Sequence, residues 1–517
     1  MDGVREAAAV GAPAAWTDLD AIAYHAGALA GRRACVDLRT GETLTYGELD
    51  RLVAQGVAWL AARVVEPFGA RVATIARNGL ESLVLMYACE RSGAIFTPLN
   101  WRLTAAEIAE LADDAKPALI LFDAEFSDQA EAAGKAWPAA VLASSAGVRA
   151  EFAACEPAAA RPGAPGAPCV ILYTSGTTGR PKGVMITRAG IFWNAFNFTA
   201  IGDVSRHSVM LCDTPMFHTV GLMATCRCIL QCGGTLLLSD RFTPGGALAR
   251  LSDPVLCVTH FFGVPQIAQM LRDDPAWATA DFSRLKGLFL GGAPLPTALC
   301  NALLADGVTV VNGYGSTEAG TVAHMPIDPD ATRAKPGSVG LLVPAMEIRI
   351  VDADGAAVPV GATGEVWLRG PAITPGYWNQ PEASAKALED GWFHTGDAGY
   401  RDEEGYLFLV DRWKDMYISG GENVYPAEVE NAIGLLAGVR EVGVVGVADA
   451  RWGEVGVAFV VAQPGADLAA ADVQAHCQPL IARYKHPAHV RFIEALPRTA
   501  SGKLRKDELR RLFAQPE

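Results

Sequence analysis

The chain has 517 residues, half of them apolar and 19% charged, and its 57 acidic and 43 basic side chains give a net charge of −14. This length predicts two or more domains, because a single hydrophobic core does not grow so large. The composition excludes a disordered or fibrous chain. The acidic balance argues against nucleic-acid binding and against electrostatic adhesion to anionic lipid, so local groups must meet any anionic substrate.

Eleven cysteines are scattered without a CxxC pair, which favours reduced thiols over disulfides or metal ligands. Residues 1–16 carry charges and lack the apolar core of a signal peptide. The longest apolar stretches are too short to span a bilayer. The sequence therefore predicts a cytoplasmic protein without a transmembrane segment.

Strand-length apolar runs alternate with helix-like stretches, as in residues 71–76, 79–92 and 94–98. This alternation predicts an α/β fold built on mostly parallel sheets with helices on their faces. The dipeptides Asp354-Gly355 and Glu404-Gly405 predict tight turns in a smaller, more antiparallel β-rich part.

A charged cluster at residues 411–415 precedes a compact α+β pattern. Pro426 fits the first turn of a helix there, and apolar runs at 442–447 and 456–461 fit strands. We therefore expect a large N-terminal domain over residues 1–411 and a small C-terminal domain over 412–517.

The most informative segment is Tyr173-Thr-Ser-Gly-Thr-Thr-Gly-Arg-Pro-Lys-Gly183, which follows a buried-type strand. Hydroxyl side chains and glycines leave N–H and O–H groups free to surround a phosphate, and Lys182 adds a positive charge. The spacing excludes a Walker A loop. We expect ATP contacts from Thr174, Ser175, Gly176, Thr177, Thr178, Gly179 and Lys182.

This segment resembles the phosphate-binding loop of the adenylate-forming superfamily, which includes acyl-CoA synthetases, adenylation domains of peptide synthetases and beetle luciferases. Further motifs match in order from about residue 45 to residue 503. The resemblance implies a large N-terminal domain of stacked sheets and a small, mobile α+β C-terminal domain, with Lys414 as the hinge.

Two predicted Gly-rich loops, residues 291–294 and 312–318, follow predicted strands at 288–290 and 308–311, where ligands of open α/β sheets bind. The resemblance implies that Thr317 contacts the α-phosphate and that Glu318, with Thr177, binds Mg²⁺; a hard oxygen ligand suits that ion. A simple turn with a helix cap is the alternative. The remaining nucleotide contacts implied here are Gly292, Ala293, Pro294, Gly313, Tyr314, Gly315 and Ser316.

Asp397 and Arg412 resemble the two residues of the family that hold the ribose. The alternatives are a turn residue for Asp397 and a surface salt bridge for Arg412. Lys503, at the end of a Gly-rich basic loop, resembles the lysine that bridges the acid and the α-phosphate, where it would stabilise developing charge. A solvated lysine is the alternative.

The segments expected to line an acid pocket, residues 217–224, 260–269 and 313–323, contain no lysine or arginine. An unpaired buried charge is costly, so we expect a monocarboxylic acid with an apolar body, fatty or aromatic. His218 would orient the carboxylate, unless it is an ordinary core histidine. The other expected pocket residues are Phe217, Gly221, Met223, Val264 and Val322.

The resemblance implies an AMP-forming acyl-CoA synthetase with ATP, Mg²⁺ and coenzyme A, in which Lys503, His218 and Thr174 are catalytic. Gly420, Gly421 and Lys485 are the expected CoA contacts, although Lys485 also fits a surface cation. Loading of a carrier-protein phosphopantetheine, an oxidative luciferase-like reaction and non-catalytic nucleotide binding remain alternatives. The acid, the thiol acceptor and the formation of a homodimer stay open.

The substitution Lys503→Ala tests the role of the C-terminal lysine. We expect it to abolish formation of the acyl-adenylate, because the charge developing at phosphorus loses its ammonium partner, and to preserve thioester formation from supplied acyl-adenylate. Acid-dependent exchange of pyrophosphate into ATP measures the first step. Adenylation at the parental rate would show that the assigned role is wrong.

Overall fold

The structure is a computed structural model that describes residues 20–174, 181–412, 415–419, 422–498 and 504–514. The sequence also predicts roles for residues outside these ranges, namely Ser175, Gly176, Thr177, Thr178, Gly179, Lys414, Gly420, Gly421 and Lys503.

The strands are, in chain order, β1 Arg33–Asp37, β2 Thr43–Thr45, β3 Arg71–Ile75, β4 Ile95–Pro98, β5 Leu119–Phe122, β6 Val141–Ser144, β7 Pro168–Thr174, β8 Lys182–Thr187, β9 Val209–Cys212, β10 Thr235–Leu238, β11 His260–Gly263, β12 Gly287–Leu290, β13 Val310–Ser316, β14 Gly320–His324, β15 Ser338–Leu342, β16 Glu347–Val351, β17 Gly364–Arg369, β18 Leu388–Glu389, β19 Trp392–Arg401, β20 Leu407–Arg412, β21 Tyr417–Ser419, β22 Glu422–Val424, β23 Val439–Asp449, β24 Gly453–Ala462 and β25 His489–Phe492.

The α-helices are α1 Ala21–Leu29, α2 Tyr46–Ala61, α3 Leu80–Ser92, α4 Ala105–Ala115, α5 Ser127–Ala136, α6 Val148–Ala153, α7 Arg188–Gly202, α8 Cys228–Gln231, α9 Pro244–Ser252, α10 Pro265–Asp273, α11 Thr297–Ala305, α12 Pro329–Ala334, α13 Pro381–Ala387, α14 Pro426–Gly434, α15 Ala470–Cys477 and α16 Lys506–Ala514. A π-helix over Val220–Arg227 leads directly into α8.

One sheet of the large domain has the strand order β6-β5-β3-β4-β7-β8. Its pairs are parallel except for the antiparallel β7–β8 pair. The predicted unit at residues 71–98 is confirmed as β3, α3 and β4. Ten of the thirteen residues of α3 are buried, as expected of a helix that packs inside the domain.

The second sheet runs in the order β16-β17-β19-β20-β15-β14-β13-β12-β11-β9-β10-β1-β2 across the described residues. Neighbouring strands are parallel in the part that runs from β1 through β10, β9, β11 and β12 to β13. From β13 to β16, neighbouring strands are antiparallel. The antiparallel part contains the predicted turns, in which Gly355 and Gly405 adopt positive φ angles of 79° and 87°. The largest core cluster includes residues from both sheets.

A third, smaller sheet follows, in the order β22-β21-β24-β23 with β25 alongside β24. Pro426 occupies the first turn of α14, as predicted. Helix α14 lies against α11 and β20 of the large domain. The fold is thus α/β, with a large N-terminal sheet domain and a smaller C-terminal domain.

One sequence prediction about local structure is wrong. Residues 312–316, read as a Gly-rich loop, continue β13 and pair with β14 in a hairpin. Glycine is tolerated in this strand because the neighbouring backbone leaves no room for side chains. A Cβ on Gly315 would lie 2.4 Å from the carbonyl oxygen of Gly320.

All eleven cysteines fall within the described residues and are free thiols. None of the helices in the described ranges is long and apolar enough to cross a membrane.

Gly340→Ala tests the close approach of β14 and β15. Gly340 has a φ of 92°, and an added Cβ would lie 1.9 Å from the carbonyl carbon of His324. We expect the variant to lose about 3 kcal/mol of stability or more, since backbone strain and a backbone clash combine. Urea denaturation of both proteins measures the loss.

Gly361→Ala is the matched control. Gly361 has a φ of 86° but no atom within 4 Å of an added Cβ, so only the left-handed strain of about 1–2 kcal/mol remains. Equal losses in the two variants would contradict the proposed clash.

Candidate active site

The expected phosphate loop connects two adjacent strand ends. Thr174 at the end of β7 pairs with Lys182 at the start of β8, and the Thr174 hydroxyl donates to the Lys182 carbonyl at 3.4 Å. The ammonium of Lys182 lies 4.7 Å from the centre of the Tyr377 ring. Both flanks of the loop therefore reach one edge of the six-stranded sheet.

The turn that joins β13 to β14 carries the Thr317-Glu318 pair. Gly320, at the far side of this turn, has a φ of 66°, and a Cβ there would lie 2.5 Å from the Asn194 side-chain oxygen. That oxygen accepts a hydrogen bond from the Thr321 amide at 2.8 Å. Asn194 of helix α7 thus fixes the turn from the side.

Tyr314, one residue before Gly315, reaches the predicted ribose contact. Its hydroxyl donates to an Asp397 carboxylate oxygen at 2.5 Å. Asp397 on β19 pairs in register with Arg412 on β20, so the two expected ribose residues are neighbours across the strands.

Thr317 lies beside the segment expected to hold the acid. Its hydroxyl is 3.1 Å from that of Thr219, the residue after His218. A small cavity of about 10 Å³, which has room for about one water molecule, lies between these two threonines and helix α7. Its lining comprises Ile186, Gly190, Asn194, Thr219, Met223, Thr317, Gly320 and Ala372.

One wall of this cavity holds a buried donor. The side chain of Asn194 is 2% exposed, and its amide nitrogen has no hydrogen-bond partner among the described residues. Buried donors are almost always satisfied, so this nitrogen is suited to an oxygen atom placed in the cavity. The cavity is polar at Asn194, Thr219 and Thr317 and apolar at Met223.

Glu318 is half-buried, and its carboxylate forms no salt bridge among the described residues. One of its oxygens accepts a hydrogen bond from the Tyr377 hydroxyl at 3.1 Å, and its backbone carbonyl accepts one from the Thr374 amide at 2.7 Å. Such a carboxylate fits Mg²⁺, which proteins bind with one or two carboxylates together with phosphate oxygens and water. No cluster of three or more metal-ligating side chains occurs in the described ranges.

The segment after β12 continues the same edge of the long sheet. Gly292 has a φ of 81°, and a Cβ at this position would lie 3.6 Å from Val264. Its neighbour Gly291 approaches the Gly313 carbonyl so closely that an added Cβ would be 3.1 Å away. Ala293 is half-buried and Pro294 is exposed.

Not every expected acid-pocket residue reaches the cavity. Phe217 is buried and packs edge-on against Trp101 at 6.0 Å. His218 is half-buried beside it, with the two rings 4.5 Å apart. Gly221 instead serves a close backbone contact, because a Cβ there would lie 2.3 Å from the Pro215 carbonyl oxygen.

Val322 is fully buried in a core cluster with Val343, Val366 and Phe393, and it is not among the cavity-lining residues. The alternation of a strand explains this position, since neighbours in β14 face opposite sides of the sheet.

The expected CoA contact Lys485 is paired with another residue. Its ammonium lies 2.6 and 2.8 Å from the two carboxylate oxygens of Glu428. Contact with a phosphate would therefore require the lysine to share or exchange this partner.

An uncharged cluster of aromatic rings lies next to the Gly-rich strand β13. His324 pairs with Gly313 across the two strands, and its ring packs on those of Phe198 and Phe289, whose centres are 5.8 and 6.0 Å away. Burial lowers the pKa of His324 to about 4, so the imidazole is neutral near pH 7.

Two contacting residues of this site, Asn194 and Tyr377, were missed in the sequence, whereas Thr219 lies within the segment 217–224 that was expected to line the acid pocket. A polar residue within the apolar stretch of α7, and a Gly-Tyr pair in a Gly- and Pro-rich segment, are the signals that could have indicated them.

Comparison with known families identifies this arrangement. The pattern of the AMP-binding enzyme family matches residues 22–378, and that of the AMP-binding enzyme C-terminal domain matches residues 428–503. The chain belongs to the AMP-binding enzyme family. Because the two matched stretches cover most of the chain, the adenylate-forming resemblance of the sequence is confirmed.

Curated relatives of this AMP-binding enzyme include a feruloyl-CoA synthase from Amycolatopsis sp, 39% identical over 92% of this chain and 94% of the relative. An indoleacetate–CoA ligase from Aromatoleum aromaticum is 39% identical over 91% of this chain and 94% of the relative. The crystal structure of ATP-bound MatB from Rhodopseudomonas palustris superposes with a TM-score of 0.87 at 30% identity, covering 95% and 98% of the two chains.

His324→Phe tests the neutrality of the aromatic group. The pKa of this histidine is about 4 in the folded chain and about 6.5 when unfolded, so the unfolded chain binds the extra proton between these values. The neutral, buried ring of His324 therefore makes its full contribution to the free energy of unfolding above pH 6.5. This contribution falls by about 3 kcal/mol as the pH decreases to 4. Both proteins lose unfolding free energy between pH 7 and 4, and we expect the loss in the variant, which lacks this group, to be smaller than the parental loss by about that amount.

Urea denaturation at several pH values measures this slope. His207→Phe, at an exposed histidine, is the control and should keep the parental pH dependence. A parental slope in His324→Phe would contradict the burial argument.

Proposed function

We propose that this AMP-binding enzyme is an AMP-forming acyl-CoA synthetase that activates an apolar monocarboxylic acid, preferably aromatic, and transfers it to coenzyme A. The main observation in support is that residues 314–318 contact three separate side chains of the site. Tyr314 donates to Asp397, Thr317 meets Thr219, and Glu318 meets Tyr377 beside Lys182. The expected ribose, acid and phosphate contacts thus share one short segment.

The cavity beside Thr317 supports binding of a carboxylate with an apolar body. Asn194, Thr219 and Thr317 offer hydrogen-bonding groups at one side, whereas Ile186, Met223 and Ala372 are apolar. Met223 is the most adaptable of these side chains, so we expect it to move when an acid larger than one water enters.

A second carboxylate would find no cation in this cavity, whose lining residues, all described, include no lysine, arginine or histidine. Two arginines close in sequence to the lining residues, Arg188 and Arg227, are both buried and both paired with Glu90, Arg188 at 3.8 Å. Arg227 is paired more closely. It lies 2.6 Å from Glu90 and stacks 4.4 Å over the Tyr87 ring. An unpaired charge in this setting is costly, which disfavours dicarboxylic acids.

The preference for an aromatic acid has its support in the relatives, since the names of two of the most similar ones specify feruloyl and indoleacetate groups. The uncharged aromatic side chains behind β13 are compatible with such an acid.

In the proposed first step, the acid's carboxylate attacks the α-phosphorus of ATP and pyrophosphate leaves. Asn194 and Thr317 would hold the carboxylate in line with the phosphorus, and Lys182 would bind the departing phosphates. Positioning and charge stabilisation supply most of the acceleration in such a reaction. Asp397 and Arg412 would fix the nucleoside end.

Glu318 would hold Mg²⁺, with Thr177 as the second predicted ligand outside the described residues. The ion, when bound, neutralises phosphate charge. The chain's own part is to present the Glu318 carboxylate without a salt bridge to another described residue.

In the second step, a CoA thiol attacks the adenylate carbonyl and AMP leaves. We assign this step to a rotated position of residues 412–517 relative to residues 1–411, with Lys414 as the hinge and Lys503 withdrawn. Gly420, Gly421 and Lys485 would then contact CoA.

A panel of acids tests this proposal. We expect arylpropenoic and arylacetic acids to be activated with kcat/KM at least tenfold above that for a dicarboxylic acid of equal length, because the second charge has no partner. Release of AMP, measured with CoA present and absent, is the readout.

Parallel reactions with a phosphopantetheinyl carrier protein test the thiol acceptor. Binding of ATP without pyrophosphate release for any acid would contradict the enzymatic proposal. A preference for dicarboxylic acids would contradict the assignment of the cavity.

A further inference from the structure

Tyr377 contacts two oppositely charged groups of the proposed function, Lys182, which is assigned to the phosphates of ATP, and Glu318, which is assigned to Mg²⁺. Its hydroxyl donates to Glu318 at 3.1 Å, and its ring faces the Lys182 ammonium at 4.7 Å. The side chain is buried, with 6% of the residue exposed. One residue thus contacts both the expected metal ligand and the expected phosphate cation.

The backbone around Tyr377 is anchored on both sides. The Trp378 amide donates to the Gly183 carbonyl at 2.7 Å, and the Met185 amide donates to the Gly376 carbonyl at 3.1 Å, which ties the segment to β8. The Thr374 amide donates to the Glu318 carbonyl at 2.7 Å. Residues 374–378, which we call the bridging segment, therefore join the strand after the phosphate loop to the Thr317-Glu318 turn.

The two charged groups contact Tyr377 rather than each other. Lys182 and Glu318 are both described, and no salt bridge joins them. A direct pair would occupy the carboxylate oxygens and the ammonium that the proposed substrate complex needs. The tyrosine instead offers its ring face to the cation and its hydroxyl to the carboxylate, so neither group is occupied by an ion pair with the other.

We propose that Tyr377 is a positioning residue, which orients Glu318 for a divalent cation and holds Lys182 for the phosphates. The inference rests on the proposed function. Partners that orient a metal ligand commonly change metal affinity tenfold to a hundredfold when removed. The hydroxyl and the ring have separable tasks, because the first contacts Glu318 and the second contacts Lys182.

Tyr377→Phe removes the hydroxyl and keeps the ring. We expect the half-saturating concentration of Mn²⁺, used in place of Mg²⁺ with ATP, to rise about tenfold. The free-Mn²⁺ signal in electron paramagnetic resonance measures this binding without catalysis. The KM for ATP at saturating metal and the KM for the acid should stay at parental values.

Tyr377→Leu removes the ring as well. In addition to weaker Mn²⁺ binding, we expect the KM for ATP at saturating metal to rise about fivefold, because Lys182 loses its cation–π contact and becomes free to pair with Glu318. A double-mutant cycle adds Glu318→Gln: once the carboxylate charge is gone, Tyr377→Phe should change Mn²⁺ binding no further.

Tyr46→Phe is the matched control. It also removes a buried tyrosine hydroxyl, which donates to the Gly234 carbonyl at 2.8 Å, far in sequence from the bridging segment. We expect it to lower stability without changing Mn²⁺ binding.

Parental Mn²⁺ binding by Tyr377→Phe would overturn the inference, as would an equal change in Tyr46→Phe. An effect of Tyr377→Phe that persists in the Glu318→Gln background would also overturn it. Failure of the proposed function looks different, because the parental enzyme would then release no pyrophosphate with any acid while Mn²⁺ and ATP binding still reports on Tyr377.

Discussion

The site depends on how tightly the backbone closes between β13 and β14. Gly315 and Gly320 approach so closely that a Cβ on either would overlap its neighbour, at 2.4 Å from the Gly320 carbonyl oxygen and 2.5 Å from the Asn194 side chain. This closure fixes residues 314–318, whose side chains contact Asp397, Thr219 and Tyr377. The proposed function assigns these three contacts to the ribose, the acid, and the phosphates with their metal ion.

Charge is kept local in this acidic protein. The net charge of −14 gives no general attraction for ATP, so the few cations near the site must be held in place. Lys182 is held by an aromatic ring rather than a carboxylate, which preserves its charge for phosphate. The carboxylates Glu318 and Asp397 are each approached by a tyrosine hydroxyl, a neutral donor that orients them without neutralising them.

The surroundings of the acid are neutral for a different reason. Arg227 is buried but forms a salt bridge with Glu90, and burial keeps the ring of His324 neutral near pH 7 because it lowers the pKa to about 4. The cavity beside Met223 is apolar on one side and polar on the other. In the proposed function, this division separates recognition of the acid's body from the chemistry at its carboxylate.

The sequence by itself determined the α/β class, the βαβ unit at β3–β4 and the nucleotide motifs, because apolar periodicity and runs of glycine and hydroxyl residues are local signals. It misread residues 312–316 as a loop, since glycine disfavours strands unless a neighbour lies too close for a side chain. Only the tertiary structure brought in Asn194 and Tyr377 and gave Thr219 its contact with Thr317, because these partners are distant in sequence. Likewise, core and pocket side chains look alike in sequence. Val322 and Met223 are both buried, and only the position of the cavity, which Met223 lines, separates them.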